Sequence, residues 1–333
     1  MPPEAALALA RPRRSRATHW LGQNAGLVLV LILLAATIVL YCAIYWVQQG
    51  LLPGNFELTS TVNNTMPLAM AAVGQTIVVL TRGLDLSVGG VVDLTNALAA
   101  IHIHDTAASM VGWTLVVLAV GAALGLLNGL LVGIGRLQPI LVTLATLSIF
   151  QGLAIRVLPQ PGGAIPPTYT AILVNTAAPL ALGYVALCAF LWLAFRRSAT
   201  GIAIIAIGND EQAARANGIN VVRTKIVAYT LGGLFAAAAG LFLAATATAG
   251  DATTGDGFTL SSIVAVVLGG VNLFGGRGSA VGAIGGAFVA TMIVNILFFS
   301  QIDPLYQSFY EGLFLIVAVV LGTLVGRVFR RMS

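Results

Sequence analysis

Between Arg196 and Lys225 the chain reads RRSATGIAIIAIGNDEQAARANGINVVRTK. Seven of these residues are charged: Arg196, Arg197, Asp210, Glu211, Arg215, Arg223 and Lys225. The chain as a whole, 333 residues long, is 58% apolar and 8% charged. An island of both signs in so apolar a sequence needs water or a docked partner around it. It also fixes how the runs on either side are read.

A mean hydropathy of +0.97 excludes an ordinary soluble domain. The apolar runs recur along the chain, which excludes a soluble core with one anchor. They are continuous, which excludes the alternating strands of a barrel. The expected fold is therefore an all-α, polytopic transmembrane helical bundle. At about 20 residues per crossing, ten spans are expected, at 25–47, 66–81, 86–103, 111–134, 138–157, 172–195, 225–247, 259–274, 278–299 and 305–326. The first follows Arg11, Arg13, Arg14 and Arg16, is too long for a signal-peptide core and lacks a cleavage site, so it reads as a retained helix.

With both termini cytoplasmic, fifteen of the sixteen basic residues fall on or beside inside segments, and Arg156 alone falls at an outside end. Glu57, Asp105, Asp251, Asp256 and Asp303 lie outside. This is the separation that the positive-inside rule demands. The organisation is then a basic tail at 1–24, a membrane domain at 25–326 containing the cytoplasmic loop 196–224, and a tail at 327–333. A break near Arg82–Asp85 leaves open whether 66–103 is two full spans or a re-entrant pair. The net charge of +5 follows from topology and does not call for nucleic acid. Cys42 and Cys188 lie in apolar runs and read as small buried hydrophobes, with no disulfide framework.

Gly121, Gly125, Gly129 and Gly133 recur every four residues, as do Gly278, Gly282 and Gly286, followed by Ala290. Each set lies on one helix stripe where another backbone can approach, in the same subunit or across a dimer seam. Thr81–Gly90 (TRGLDLSVGG) and Phe274–Gly286 (FGGRGSAVGAIGG) echo one another as Gly/Arg turns that open a helix. In the first, Gly83 breaks the incoming span, Arg82 is near enough to pair with Asp85, and Ser87 can take up free backbone donors. Gly89 and Gly90 permit close packing there. Gly83, Asp85, Ser87 and Gly89 are thus either a structural break or part of a conformational switch.

Within the charged loop, Asn209 to Gln212 fits a capping box opening a two-turn helix at 210–217, stopped by Gly218. Asp210 and Glu211 suit its positive end, and Ala213, Ala214 and Ala216 keep it narrow. It reads as a connector or as a projection into a groove on another protein.

Asp93 and Asn96 lie one turn apart in an apolar span, where a carboxylate costs about 2.5–3.5 kcal/mol and should face a cavity or a partner. With Asn128, Thr143, Gln151 and Asn295 they are the candidate lining of a polar solute path, each with helix–helix bonding as the alternative. Thr146 is a further polar residue inside a span. His102, His104 and Asp105 lack metal-ligand spacing, and no metal site is expected. No nucleophile–base set and no phosphate loop is present: the nearest run, Gly270 to Arg277, lacks the lysine in register. The loop at Pro159–Pro167 is stiff, and reads as a connector or a docking place on the outer side.

The run Gly208-Asn209-Asp210-Glu211-Gln212-Ala213-Ala214-Arg215-Ala216-Asn217-Gly218-Ile219-Asn220-Val221 resembles the coupling loop of the ribose, xylose and arabinose permease family of ABC importers, with Gln212 where that motif has glutamate. Gly83–Gly90 and Val266–Gly270 followed by Leu273–Gly278 are similar to two further segments of that family, and the likeness spans about 60–325. The resemblance implies a bacterial inner-membrane importer for a monosaccharide, built from two such permeases (copies or paralogues), a cytoplasmic ABC ATPase dimer and a periplasmic sugar-binding protein. ATP and Mg would bind the partner and no cofactor this chain. The coupling residues would be Asn209, Asp210, Glu211, Gln212, Ala213, Ala214, Arg215 and Gly218. The alternatives are an ion-coupled secondary transporter, which favours several mid-membrane charges where Asp93 is the one clear candidate, and a membrane enzyme, which lacks a catalytic set.

Overall fold

The computed structural model describes residues 25–175 and 177–303, together with 306, 309, 310, 312, 313, 316, 317 and 320. The expected tails at 1–24 and 327–333, and most of the expected span at 305–326, lie outside the described residues. The described residues form helices with one isolated bridge between loops, Gly162 with Gly250.

In chain order the helices are α1 (Ala25–Gln49), α2 (Asn55–Val79), α3 (Val88–His102), α4 (Ala107–Gly133), α5 (Pro139–Val157) and α6 (Pro167–Leu173), then α7 (Ala181–Phe195), α8 (Ala199–Asn209), α9 (Glu211–Ala216), α10 (Val221–Ala247), α11 (Asp256–Leu268) and α12 (Ala280–Phe299). Five of these, α1, α4, α5, α10 and α12, are long and apolar enough to cross a membrane, and α7 with α8 makes a sixth if a pair bent by 76° counts as one span. Their starts follow local chemistry. Thr106, Ser198, Asn220 and Ser279 cap α4, α8, α10 and α12 with side-chain oxygens, and Pro139 and Pro167 open α5 and α6.

Several expected boundaries change. The span expected at 66–81 begins at Asn55 and runs 25 residues, about 37 Å. It carries buried Asn63 and Gln75, which is why it does not stand out as an apolar run. The spans expected at 86–103 and 259–274 are helices of 15 and 13 residues, shorter than a bilayer crossing by themselves. The span expected at 172–195 is interrupted between α6 and α7. The loop 196–224 is largely helical, because Ser198 starts α8 on the apolar run that follows it.

The core forms around α10, which packs along α4, α2 and α3, while α12 packs on α11, α2 and α1. Both glycine ladders serve contacts inside the chain. A methyl group on Gly129 would stand 2.8 Å from Ile226 Cα, and one on Gly125 would meet Tyr229 O of α10. Gly282 and Gly286 meet Gly269, just past α11, and Ala265 within it in the same way, while Gly278 precedes α12 at φ 137° and is not on its stripe. Of the two uses open to such stripes, in-chain packing is the one observed.

Candidate functional site

Two helix ends, α2 and α8, leave carbonyls without helical partners, and both are satisfied at a single junction. Arg82, in the left-handed region at φ 62°, sends Nε to Gly208 O (2.9 Å) and Nη2 to Asn209 O (2.6 Å). A guanidinium over a helix C-terminus is favoured by both charge and hydrogen bonding. Gly276 N–H donates to Leu80 O at the end of α2 (3.2 Å), and Asn209 Nδ2 donates to Ile205 O (2.9 Å) and Gly276 O (3.3 Å). Three segments far apart in sequence, 80–82, 208–209 and 275–276, therefore touch backbone to backbone. The two echoing Gly/Arg turns meet here.

This geometry corrects two expectations. Arg82 does not pair with Asp85; its reach is spent on the α8 carbonyls. Asn209 is the last residue of α8, and the cap of the next helix is Asp210, whose carboxylate accepts from Ala213 N–H (2.9 Å). The helix, α9, is six residues long, and Gly218 follows it at φ 80° as the expected stop. Ala214 is buried, with Ile207 and Val221 in the same small cluster. Gln212, Ala213, Arg215 and Ala216 face outward. Glu211 braces the helix from below, accepting from Lys225 Nζ of α10 (2.8 Å) and Arg215 Nη2 (3.3 Å). The Lys225 ammonium, then the charge of Arg215, hold its carboxyl below the usual range.

The sign of that shift fixes a prediction. The braced carboxylate contributes fully above the ordinary carboxylate range, near pH 4.3, and its contribution fades only as pH falls below it. Amide exchange at α9, corrected for intrinsic rate, should be flat from about pH 7 to 5 and rise below about pH 4. A rise near pH 6 would show that another group holds the helix.

The break at 80–87 gathers the expected switch residues. Asp85 is buried, and its Oδ1 accepts from Ser87 N–H (2.9 Å) and Ser87 Oγ (2.6 Å), while Ser87 Oγ accepts from Asn128 Nδ2 (2.8 Å). The carboxylate, not Ser87, takes up the free backbone donor, and Asn128 of α4 ties the turn to the bundle. Gly83 lies under the Tyr229 hydroxyl, where a methyl would stand 2.7 Å away. Gly89 N–H donates to Thr259 Oγ1 (3.2 Å), joining the start of α3 to α11.

The candidate path residues separate into three groups. Asp93 and Asn96 are sealed in: Asp93 Oδ1 accepts from Gly255 N–H at the start of α11 (2.6 Å), and Asn96 Oδ1 from Asp251 N–H (2.8 Å). They hold the loop 248–255, which is paired to the Pro-rich loop through Gly162 and Gly250. Gln151 joins this group through Asp256 Oδ1. Asn128 and Thr143 are buried, Thr143 bonding Pro139 O of its own helix (2.9 Å). Asn295, bonded to Thr61 Oγ1 (3.0 Å), is the one of the six on an open crevice.

That crevice, about 310 Å³, lies between α2, α11 and α12 and is lined by Asn64, Leu68, Gly257, Phe258, Ser261, Val264, Ala290, Thr291, Ile293, Val294 and Asn295. Amides and hydroxyls beside one aromatic ring can exchange hydrogen bonds with a small hydroxylated solute. Its size sits at the lower end of ligand pockets, which run about 300–1,000 Å³. Sequence reading found Asn295 but not Asn64, Ser261, Thr291 or Arg82's carbonyl partners, because their meaning lies in helices distant along the chain.

Among the described residues no group of histidine, cysteine and acidic side chains could hold a metal. No solved structure matches the chain. The ribose import permease protein RbsC of Escherichia coli (strain K12) is 32% identical over 326 residues, 92% of this chain and 96% of that one. Its Bacillus subtilis (strain 168) counterpart is 34% identical over 273 residues, covering 76% and 80%. The autoinducer 2 import system permease protein LsrC of Enterobacter sp. (strain 638) is 34% identical over 261 residues, covering 76% and 75%. A family match over residues 58–325 runs through the break at 80–87, the α8–α9 loop and the 269–278 turn alike. On that match, which takes in the whole polar skeleton just described, this multi-pass membrane protein belongs to the family described as branched-chain amino acid transport system / permease component.

Proposed function

We propose that the chain is the translocation subunit of an ATP-driven importer for a monosaccharide-type solute in a bacterial inner membrane. The observation that carries this is the junction of Arg82, Asn209 and Gly276. It fastens a short outward-facing helix, α9, to the ends of α2 and α8 and to the turn between α11 and α12. A push on α9 then reaches the helices that line the crevice. The energy source in this reading is a cytoplasmic ABC ATPase dimer that holds ATP and Mg, since the sequence has no phosphate loop. Asp210, Gln212, Ala213, Arg215 and Gly218 form the side that the ATPase receives, with Glu211 bracing it against Lys225.

The basic residues support ten spans with both termini cytoplasmic, and α3 and α11 then cross as short helices completed by the turns 80–87 and 269–278. A second permease copy or paralogue closes the path, and a periplasmic binding protein selects the solute. The solute class is drawn from the relatives' names, ribose and autoinducer 2 import, and from the side chains of Asn64, Ser261, Thr291 and Asn295 in the otherwise apolar lining of the crevice.

The test is reconstitution of the purified chain with its ATPase and binding protein in proteoliposomes. ATP-dependent accumulation of ribose without accumulation of leucine is expected. Uptake that needs no ATPase, or that prefers leucine, overturns the reading. Within the crevice, Thr291→Val keeps shape and removes one hydroxyl, a loss of about 1 kcal/mol for a single neutral hydrogen bond. It should lower uptake about fivefold with ATPase assembly intact. Unchanged uptake would move the path elsewhere.

A further inference from the structure

We infer that the turn Asn272–Arg277 is a second contact on the same ATPase subunit that receives α9, with Phe274 and Arg277 as its anchors; this rests on the importer reading above. Phe274 is 82% exposed, and Leu273 and Arg277 beside it are exposed too. An aromatic ring and a guanidinium on one tip are the residue types that dominate protein interfaces.

The tip is stiff. Asn272 N–H donates to Arg277 O (2.9 Å), Gly275 N–H to Asn272 O (2.9 Å), and Phe274 N–H to Asn272 Oδ1 (3.1 Å). Gly275 and Gly276 hold φ of 83° and 72°, values that a residue with a side chain resists. A ring presented on such a turn loses little freedom when it is covered.

Two observations name the occupant. The turn is continuous with α9, since Asn209, which bonds Gly276 O, immediately precedes the cap residue Asp210. And α9 is too small to dock an ATPase by itself. Six residues extend about 9 Å, against about 800 Å² per partner in a stable interface. The neighbouring surface that completes it on this side is the 272–277 turn. Lipid headgroups and the second permease copy are the other possible covers.

The test places the photoreactive amino acid p-benzoylphenylalanine at position 274, and separately at 213 on α9, in the full chain within the assembled importer. Captured species are identified by mass spectrometry. Both positions should capture one polypeptide, carrying a nucleotide-binding phosphate loop. If 213 captures it while 274 captures only lipid or a second permease, this inference falls and the importer reading stands. If neither captures an ATPase, the importer reading falls and takes this inference with it. If 274 captures it and 213 does not, the shared surface is overturned. In parallel, Phe274→Ala should weaken ATPase retention about tenfold or more at equal membrane abundance, and Phe274→Tyr should retain it. Retention by Phe274→Ala equal to that of the unaltered chain also overturns the inference.

Discussion

Gly208→Val is expected to abolish transport and to lower membrane abundance. Gly208 is the point where α8 crosses the end of α2, and a Cβ there would fall on Leu80 O and Gly276 N, backbone on both sides. Neither neighbour can step aside as a flexible side chain would. Leu80 O is already bonded to Gly276 N–H, and moving either opens that bond. Overpacking against yielding side chains costs about 1–3 kcal/mol; against fixed backbone we expect about 3 kcal/mol or more, read as a lowered melting temperature in detergent. Gly218→Ala is the contrast. It has open space around it and pays only for φ 80°, about 1–2 kcal/mol. It should fray the end of α9 and leave the bundle intact. Equal losses in the two variants would show that the loss comes from α9 and not from the junction.

Arg82→Gly is expected to uncouple transport from the proposed ATPase. Glycine suits φ 62° better than arginine does, so the variant removes the guanidinium without adding backbone strain. What is lost is two charge-assisted bonds to the last carbonyls of α8, each worth about 1.5–3 kcal/mol. The outward face of α9 is untouched, so the proposed ATPase should still dock and still hydrolyse ATP. The link from α8 to the 80–87 turn, and so to α3, is weakened. Lysine at 82 has a single amine and cannot serve both carbonyls in the same geometry, so Arg82→Lys should recover only part of the transport.

Composition and the distribution of basic residues were enough to read a helical, multi-pass chain, because each helix reports its own burial in its own sequence. Local chemistry was legible to within a residue. Asn209 and Asp210 are both good caps, and what decided between them is that Asn209 finds a tertiary partner in Gly276 O. The helix α8 escaped because eleven residues are too few to signal a crossing, while the charges on both sides mark the segment as a loop. Arg82 was assigned to Asp85 because carboxylates are visible in a sequence and helix-end carbonyls are not. Among the path candidates, Asp93 and Asn96 stand out in the sequence as polar groups that are costly in an apolar span. Backbone N–H groups of the 248–255 loop meet part of that cost, one at Asp93 Oδ1 and one at Asn96 Oδ1, while Asp93 Oδ2 is buried without a partner; both residues are sealed in place of lining a cavity. The crevice was the least legible, since Asn64, Ser261, Thr291 and Asn295 meet only once three helices pack.

The transfer of motion from α9 into the membrane helices runs, in our proposal, through the Arg82–Asn209–Gly276 junction. It is tested most directly by the number of solute molecules accumulated per ATP hydrolysed in proteoliposomes, compared between the unaltered chain and Arg82→Gly. Hydrolysis should continue while solute per ATP falls about tenfold or more, the equivalent of about 1.4 kcal/mol of lost coupling. An unchanged ratio would contradict it.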